Sequence, residues 1–186
     1  EEEYMRPDEY KDFIADPSGF WMKSYLPRMF GALGPMSMMP DWPRISEIVD
    51  VGGALLPYGL PPVQEMLKKM MSAGEEALKW VGILGQMGGT LASAGFPSMP
   101  STFLKNPFDF LGDTLRGTKG IMMDLFRRPK DVIAACEAYV PVLVNSISRS
   151  CDMMGTPVAM YPLHKGADGF MSQKQFETFY WPTFKA

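Results

Sequence analysis

Apolar positions along this chain recur with helical spacing more often than with the alternation of strands. The clearest stripe follows Pro62, which opens a long helix. Val63, Met66, Leu67, Met70, Leu78 and Val81 share one face of it, while Glu65, Lys68, Lys69, Glu75, Glu76 and Lys79 supply a wet one. Upstream, residues 8–15 read as a short helix after Pro7, and Asp16-Pro17-Ser18 starts a second that carries Phe20, Trp21, Tyr25 and Met29. Residues 34–62 are rich in Pro and Gly and read as irregular, with a short extended piece at Ala54-Leu55-Leu56; residues 95–106 read as loop. Phe108-Asp109-Phe110 leads into a helix over 114–127, and Pro129 suits the first position of the next, which runs towards Met154. Gly155-Thr156-Pro157 breaks that helix. Val158-Ala159-Met160-Tyr161 follows without polar alternation, the pattern of a strand buried on both faces. The closing helix has the strongest start signal. Ser172-Gln173-Lys174-Gln175 fits a capping box, Met171 and Phe176 fit a hydrophobic staple, and Phe176, Phe179, Tyr180 and Phe184 share one face.

Charge narrows the partners. The chain has 186 residues, 21 acidic and 18 basic, for a net charge of −3. No basic tract interleaves with aromatics, so nucleic acid is not an expected partner. Residues 80–104 carry no charge and contain the GxxxG match Gly85–Gly89, but Gly, Ser and Pro break the ~20 continuous apolar residues that a membrane span needs. A buried helix end followed by a glycine-rich loop is expected there, and no membrane. Cys136 and Cys151, if on one helix, stand about 22 Å apart at the α-helical rise, beyond disulfide reach. Separate reduced cysteines and no basic-then-apolar leader fit a cytoplasmic protein. The seventeen methionines suit an adaptable core or a greasy pocket better than a copper site. Both ends look cut, so a segment of a longer protein is expected.

The only histidine, His164, lies in the connection 163–171 that leaves the expected strand. In parallel α/β architectures ligands bind at such connections. Histidine titrates near neutral pH, so His164 could be a general acid or base, or could pin its loop through a backbone hydrogen bond. Lys165 could hold an anionic substituent or stand solvated. Asp168 could orient His164 or form a turn with Gly169. Asp113 suits the cap of the helix from Thr114, and Arg116 and Lys119 in its first turns suit an anion or an ion pair.

Several stretches resemble a known family. Pro162-Leu163-His164-Lys165-Gly166-Ala167-Asp168-Gly169-Phe170-Met171-Ser172, with Gln175-Phe176 and Phe179-Tyr180-Trp181-Pro182, is similar to the uroporphyrinogen decarboxylase superfamily, and more closely to the decarboxylase-like proteins of anaerobes. So are Phe108-Asp109-Phe110-Leu111-Gly112-Asp113-Thr114-Leu115-Arg116-Gly117, Asp124-Leu125-Phe126-Arg127-Arg128-Pro129, and the segment from Glu9-Tyr10 to Asp16-Pro17 with Tyr25-Leu26-Pro27-Arg28. The resemblance implies an α/β fold, a partial (β/α)8 TIM barrel that is helix-rich as a fragment. Residues 1–186 would be the central part of one such domain, with its start and its closing strands outside the chain. Two activities are implied: cofactor-free decarboxylation of uroporphyrinogen III, and methyl transfer linked to a corrinoid (cobalamin), often with zinc activating a thiol.

The decarboxylase pattern Tyr-any-any-Glu-Gly stands here as Asp113-Thr114-Leu115-Arg116-Gly117, and the serine before the final capped helix stands as Gly166. Corrinoid-linked methyl transfer is therefore the expected activity and uroporphyrinogen III decarboxylation the alternative. His164 and Asp113 are the expected catalytic residues, with Lys165, Arg116, Lys119 and Asp168 binding the ligand. Zinc could be held only through residues outside this chain, because the His-any-Cys motif of related methyltransferases is not found at His164-Lys165-Gly166. The implied partners are a tetrapyrrole-type ligand or a corrinoid carrier protein, with a homodimer compatible. From a different class, a helical binding module with a Met-rich surface is the remaining reading.

Overall fold

The computed structural model describes residues 3–96 and 102–186. In chain order, α1 (Tyr10–Ala15) and α2 (Pro17–Phe20) lead through a π-helical turn, Trp21–Tyr25, into α3 (Leu26–Met29). Two 3-10 segments, Gly31–Met38 and Trp42–Arg44, precede α4 (Ile48–Leu55), and a third, Leu56–Gly59, joins it to α5 (Pro61–Ser93). Beyond these come β1 (Thr102–Phe103), α6 (Pro107–Phe110), a π-helical turn Leu111–Leu115, α7 (Gly117–Arg127) and α8 (Pro129–Met154). The chain closes with β2 (Ala159–Met160), α9 (Gln173–Gln175), a third π-helical turn Phe176–Tyr180, and α10 (Trp181–Lys185).

The chain divides into two compact units, one formed by Glu1–Trp21 with Pro100–Ala186 and the other by Met22–Met99. In the first, α1 packs on α8, and Phe13 and Phe110 meet the Tyr139 ring, the latter stacked at 3.7 Å between centroids. Tyr10, Phe13, Phe108, Leu115 and Ile121 are buried around them. A buried polar network ties the N-terminal segment to α7. Arg116 Nε donates to Asp124 at 2.6 Å, Tyr10 donates to the same carboxylate oxygen at 2.9 Å, and Arg116 also bonds the Met5 carbonyl and Glu3. Such a charge is tolerable inside a protein only because every donor has an acceptor. The second unit has a smaller core, Met36, Val63 and Met66, against which Leu26, Leu33, Met39 and Leu67 pack. Its N-terminal part carries the Lys23–Asp41 ion pair.

The barrel expectation is overturned. Of the described residues 75% are helical, and their only sheet is β1 paired in parallel with β2, Thr102 opposite Ala159 and Phe103 opposite Met160. A mostly helical architecture replaces the (β/α)8 TIM barrel. The stretch Val158-Ala159-Met160-Tyr161 misled because an unbroken apolar run suits a central strand and a short exposed one equally. Here Val158 is 52% exposed and Met160 41%. Three further expectations change. Ala54-Leu55-Leu56 is helical, not extended. The helix expected from Thr114 begins at Gly117, because Leu111–Leu115 first widens into a π-turn, with the Arg116 N–H bonding the Leu111 carbonyl five residues back at 2.8 Å. The uncharged stretch from Trp80 continues α5 as far as Ser93 and is exposed, where a buried helix end was expected. The loop expected over 95–106 includes residues 97–101, which lie outside the described residues. By length and composition α8 could cross a membrane, yet Val132, Ala135, Cys136 and Leu143 bury one of its faces in the first unit.

Candidate functional site

The site is built on α6 and the π-turn that follows it. Asn106 caps α6, its Oδ1 accepting the Phe108 N–H at 2.8 Å, with Pro107 at the first helical position. This start faces Asp109 inward between Phe108 and Phe110, and Asp109 has no exposed surface. Its carboxylate is fully engaged. Oδ1 accepts the Lys165 backbone N–H at 2.7 Å, while Oδ2 accepts the His164 backbone N–H at 3.1 Å and the Tyr180 hydroxyl at 2.6 Å. Burial, then the bond to Asp109, push the Tyr180 hydroxyl far above its ordinary range, so it remains a neutral donor. Asp109 thus fixes the backbone of the 164–165 loop and the closing π-turn at once.

One turn on, Asp113 faces the side chains of the same loop. His164 Nδ1 lies 2.7 Å from Asp113 Oδ2, Lys165 Nζ bonds Oδ1, and Lys105 Nζ lies 3.0 Å from Oδ2. Partial burial alone would raise the Asp113 carboxyl, but hydrogen bonds from Lys165, His164 and Lys105 outweigh it and hold the group at about 2. Asp113 is therefore an anion at any physiological pH. An ionised carboxylate only accepts, so Nδ1 carries the imidazole proton and Nε2 is the nitrogen left to exchange one. The His164 side chain is 49% exposed and that of Lys165 only 6%.

Two glycines make the arrangement possible. A Cβ on Gly112 would sit 2.8 Å from Lys165 Cε, so the lysine stem crosses that backbone closely on its way to Asp113. A Cβ on Gly166 would sit 2.7 Å from the Tyr180 ring, so no larger side chain fits there without displacing that ring. The Lys165 ammonium also lies 5.6 Å from the Phe170 ring centroid.

Of the residues singled out from the sequence, His164, Lys165 and Asp113 come together. Asp113 does so as an ion-pair partner inside the π-turn, not as the cap of a following helix. Arg116 does not join them. It is 2% exposed and its guanidinium is committed to Asp124, Glu3 and the Met5 carbonyl, which leaves it unsuited to a ligand. Lys119 is exposed on α7, and Asp168 is exposed in the loop; neither bonds His164. Sequence reasoning missed Asp109, Lys105 and the hydroxyl of Tyr180. A carboxylate flanked by Phe108 and Phe110 was the available signal for the first, since so apolar a setting buries a charge only when it has work to do.

Among the described residues no three His, Cys, Asp or Glu side chains converge to hold a metal ion, so the residues present do not fit zinc. Burial also pushes the Cys136 thiol well above its ordinary range, away from the thiolate a metal requires. Toward a corrinoid, the ammonium groups of Lys105 and Lys165 suit carboxylate or amide substituents at a macrocycle rim. No family model, curated protein or solved structure matches the chain.

Proposed function

We propose that this chain belongs to an enzyme of the uroporphyrinogen decarboxylase-like type, acting in corrinoid-linked methyl transfer. His164 handles a proton at Nε2, Asp113 sets its tautomer, and Lys165 with Lys105 holds an anionic or amide group of a tetrapyrrole-type ligand or of a corrinoid presented by its carrier protein. One observation carries the reading. Two of the stretches that resemble that superfamily, 108–117 and 162–172, lie some fifty residues apart yet meet in a single polar cluster around Asp113. Two buried groups, Asp109 and the Tyr180 hydroxyl, support that meeting by fixing the 164–165 backbone. The tight packing of Gly166 against Tyr180 favours methyl transfer over decarboxylation, because the serine of the decarboxylase pattern has no room there. No step is assigned to a metal, which the residues present do not fit.

The test pairs two assays of the purified full-length enzyme that carries this chain. With methylcobalamin and a thiol, loss of the methyl group is followed by the visible spectrum of the corrinoid. With uroporphyrinogen III, products are separated by chromatography. Demethylation is expected, and His164→Ala should slow it about 10²–10⁴-fold, the usual worth of a positioned acid or base. His164→Gln keeps a hydrogen bond but cannot titrate near neutrality, so it should not restore the rate. Accumulation of coproporphyrinogen, or full activity in the Gln variant, would overturn the assignment.

A further inference from the structure

Three side-chain donors of the cluster converge on a single carboxylate. Lys105 and Lys165 face Asp113 directly, His164 donates to the same group, and Asp109 spends both of its oxygens on backbone N–H groups and the Tyr180 hydroxyl. One carboxylate therefore takes the side-chain hydrogen bonds of two lysines and an imidazole, while Asp109 behind it serves only the loop backbone and Tyr180.

None of the buried positioning depends on Asp113. The 164–165 backbone is fixed by Asp109, and the Lys165 stem is confined by its passage over Gly112 and beside Phe170. Remove the Asp113 carboxylate and Lys165 would remain where it is, a 6%-exposed ammonium in need of an anion. Asp113, by contrast, sits in a π-helical turn, the kind of local widening that recurs at functional sites. Its neighbours Lys105 and His164 are open to solvent, with side chains 38% and 49% exposed, so a ligand can approach from that side.

We infer that Lys105, His164 and Lys165 form a carboxylate-binding subsite whose resident occupant is Asp113, and that an incoming carboxylate group takes its place. The exchange conserves charge-assisted hydrogen bonds. Each bond from Lys165, Lys105 and His164 passes from the Asp113 oxygens to those of the ligand, and Asp113 turns towards water. The buried ammonium is never left unpaired, which keeps the exchange from incurring the cost of an isolated buried charge. Asp113 then acts as an internal competitor that keeps the subsite closed to weak anions. The inference deepens the proposed function, on whose site it rests, by naming the ligand chemistry and the gate.

The single histidine provides a clean readout, because only one imidazole appears in the proton spectrum. Acetate and tricarballylate are titrated into the protein at constant ionic strength, with acetamide as a neutral control, and the His164 ring signals are followed. Carboxylates should shift them saturably and acetamide should not. Asp113→Asn should tighten carboxylate binding about tenfold or more by removing the competitor, and Lys165→Met should abolish it. In the unmodified chain, saturation with tricarballylate should move the Asp113 carboxyl from about 2 towards its ordinary value, read from its carbon resonance. This second readout needs no variant to fold. Unchanged or weaker binding in Asp113→Asn, equal shifts with acetamide, or an Asp113 carboxyl indifferent to the ligand would each overturn the inference. The two ideas fail separately: binding without methyl transfer leaves the subsite standing and removes the proposed function, whereas turnover without carboxylate binding does the reverse.

Discussion

Single residues decide whether this cluster exists. Asp109 is fully buried with three donors converging on it, from His164, Lys165 and Tyr180. Asparagine offers one acceptor oxygen in place of two and turns an NH2 group towards a donor. Asp109→Asn should therefore destabilise the fold by about 2–3 kcal/mol in urea unfolding, the range for buried hydrogen bonds to a charged group. A loss under 0.5 kcal/mol would show that the loop is held by something else. Asp113 predicts a pH dependence instead. Its carboxyl falls from an ordinary value of 3.8 to about 2 in the folded protein. A depressed carboxyl contributes stability that is complete above its unfolded value and is lost as pH falls through the folded one. The stability gap between the native chain and Asp113→Asn should therefore be constant above about pH 4 and shrink between about pH 4 and pH 2. A gap that widens on acidification would contradict the assigned ion pairs.

At the scale of elements, what the sequence revealed was the part that local chemistry decides. The reciprocal cap of the closing helix is present as expected, with the Gln175 N–H on Ser172 Oγ at 3.3 Å and the Ser172 N–H on Gln175 Oε1 at 2.9 Å. Ser172→Ala should cost about 1 kcal/mol, the typical worth of such a cap, measured by thermal unfolding with the Gln175 amide as a local probe. Pro129 likewise opens α8 as its missing N–H suggests. What stayed hidden depends on partners distant in sequence. An apolar run such as Val158-Ala159-Met160-Tyr161 carries no information on how many neighbours it will pair with, and here it pairs with one two-residue strand. The π-turns are hidden for a related reason. Leu111–Leu115 and Phe176–Tyr180 widen by one residue per turn, and nothing in their apolar spacing distinguishes that from an ordinary α-helical turn. His164 and Lys165 were legible as candidates from their loop, but Asp109 was not, because its acceptors are claimed by residues 55 to 71 positions away.

For the molecule as a whole, the two units differ in how much apolar surface they bury, and that difference has a measurable result. The unit containing the cluster buries Tyr10, Phe13, Phe108, Leu111, Leu115 and Tyr180 almost completely, and its ion-pair network is internal. The unit of Met22–Met99 buries Tyr25, Met36, Ala54, Val63 and Met66, while the second half of its long helix α5 is exposed, Trp80 at 62% and Ile83 at 63%. Hydrophobic burial scales with apolar area removed from water, so the second unit has much the weaker driving force. Unfolding should accordingly take two steps. Far-UV ellipticity, to which the 33-residue α5 contributes heavily, should fall at lower urea than the His164 ring signal, which reports the other unit. Leu67→Ala, beside the smaller core, should move only the first step to lower urea, whereas Asp109→Asn should move only the second. Coincident transitions for both probes, in the native chain and in each variant, would mean that the two units unfold as one cooperative body and that their separate cores do not set the order of events.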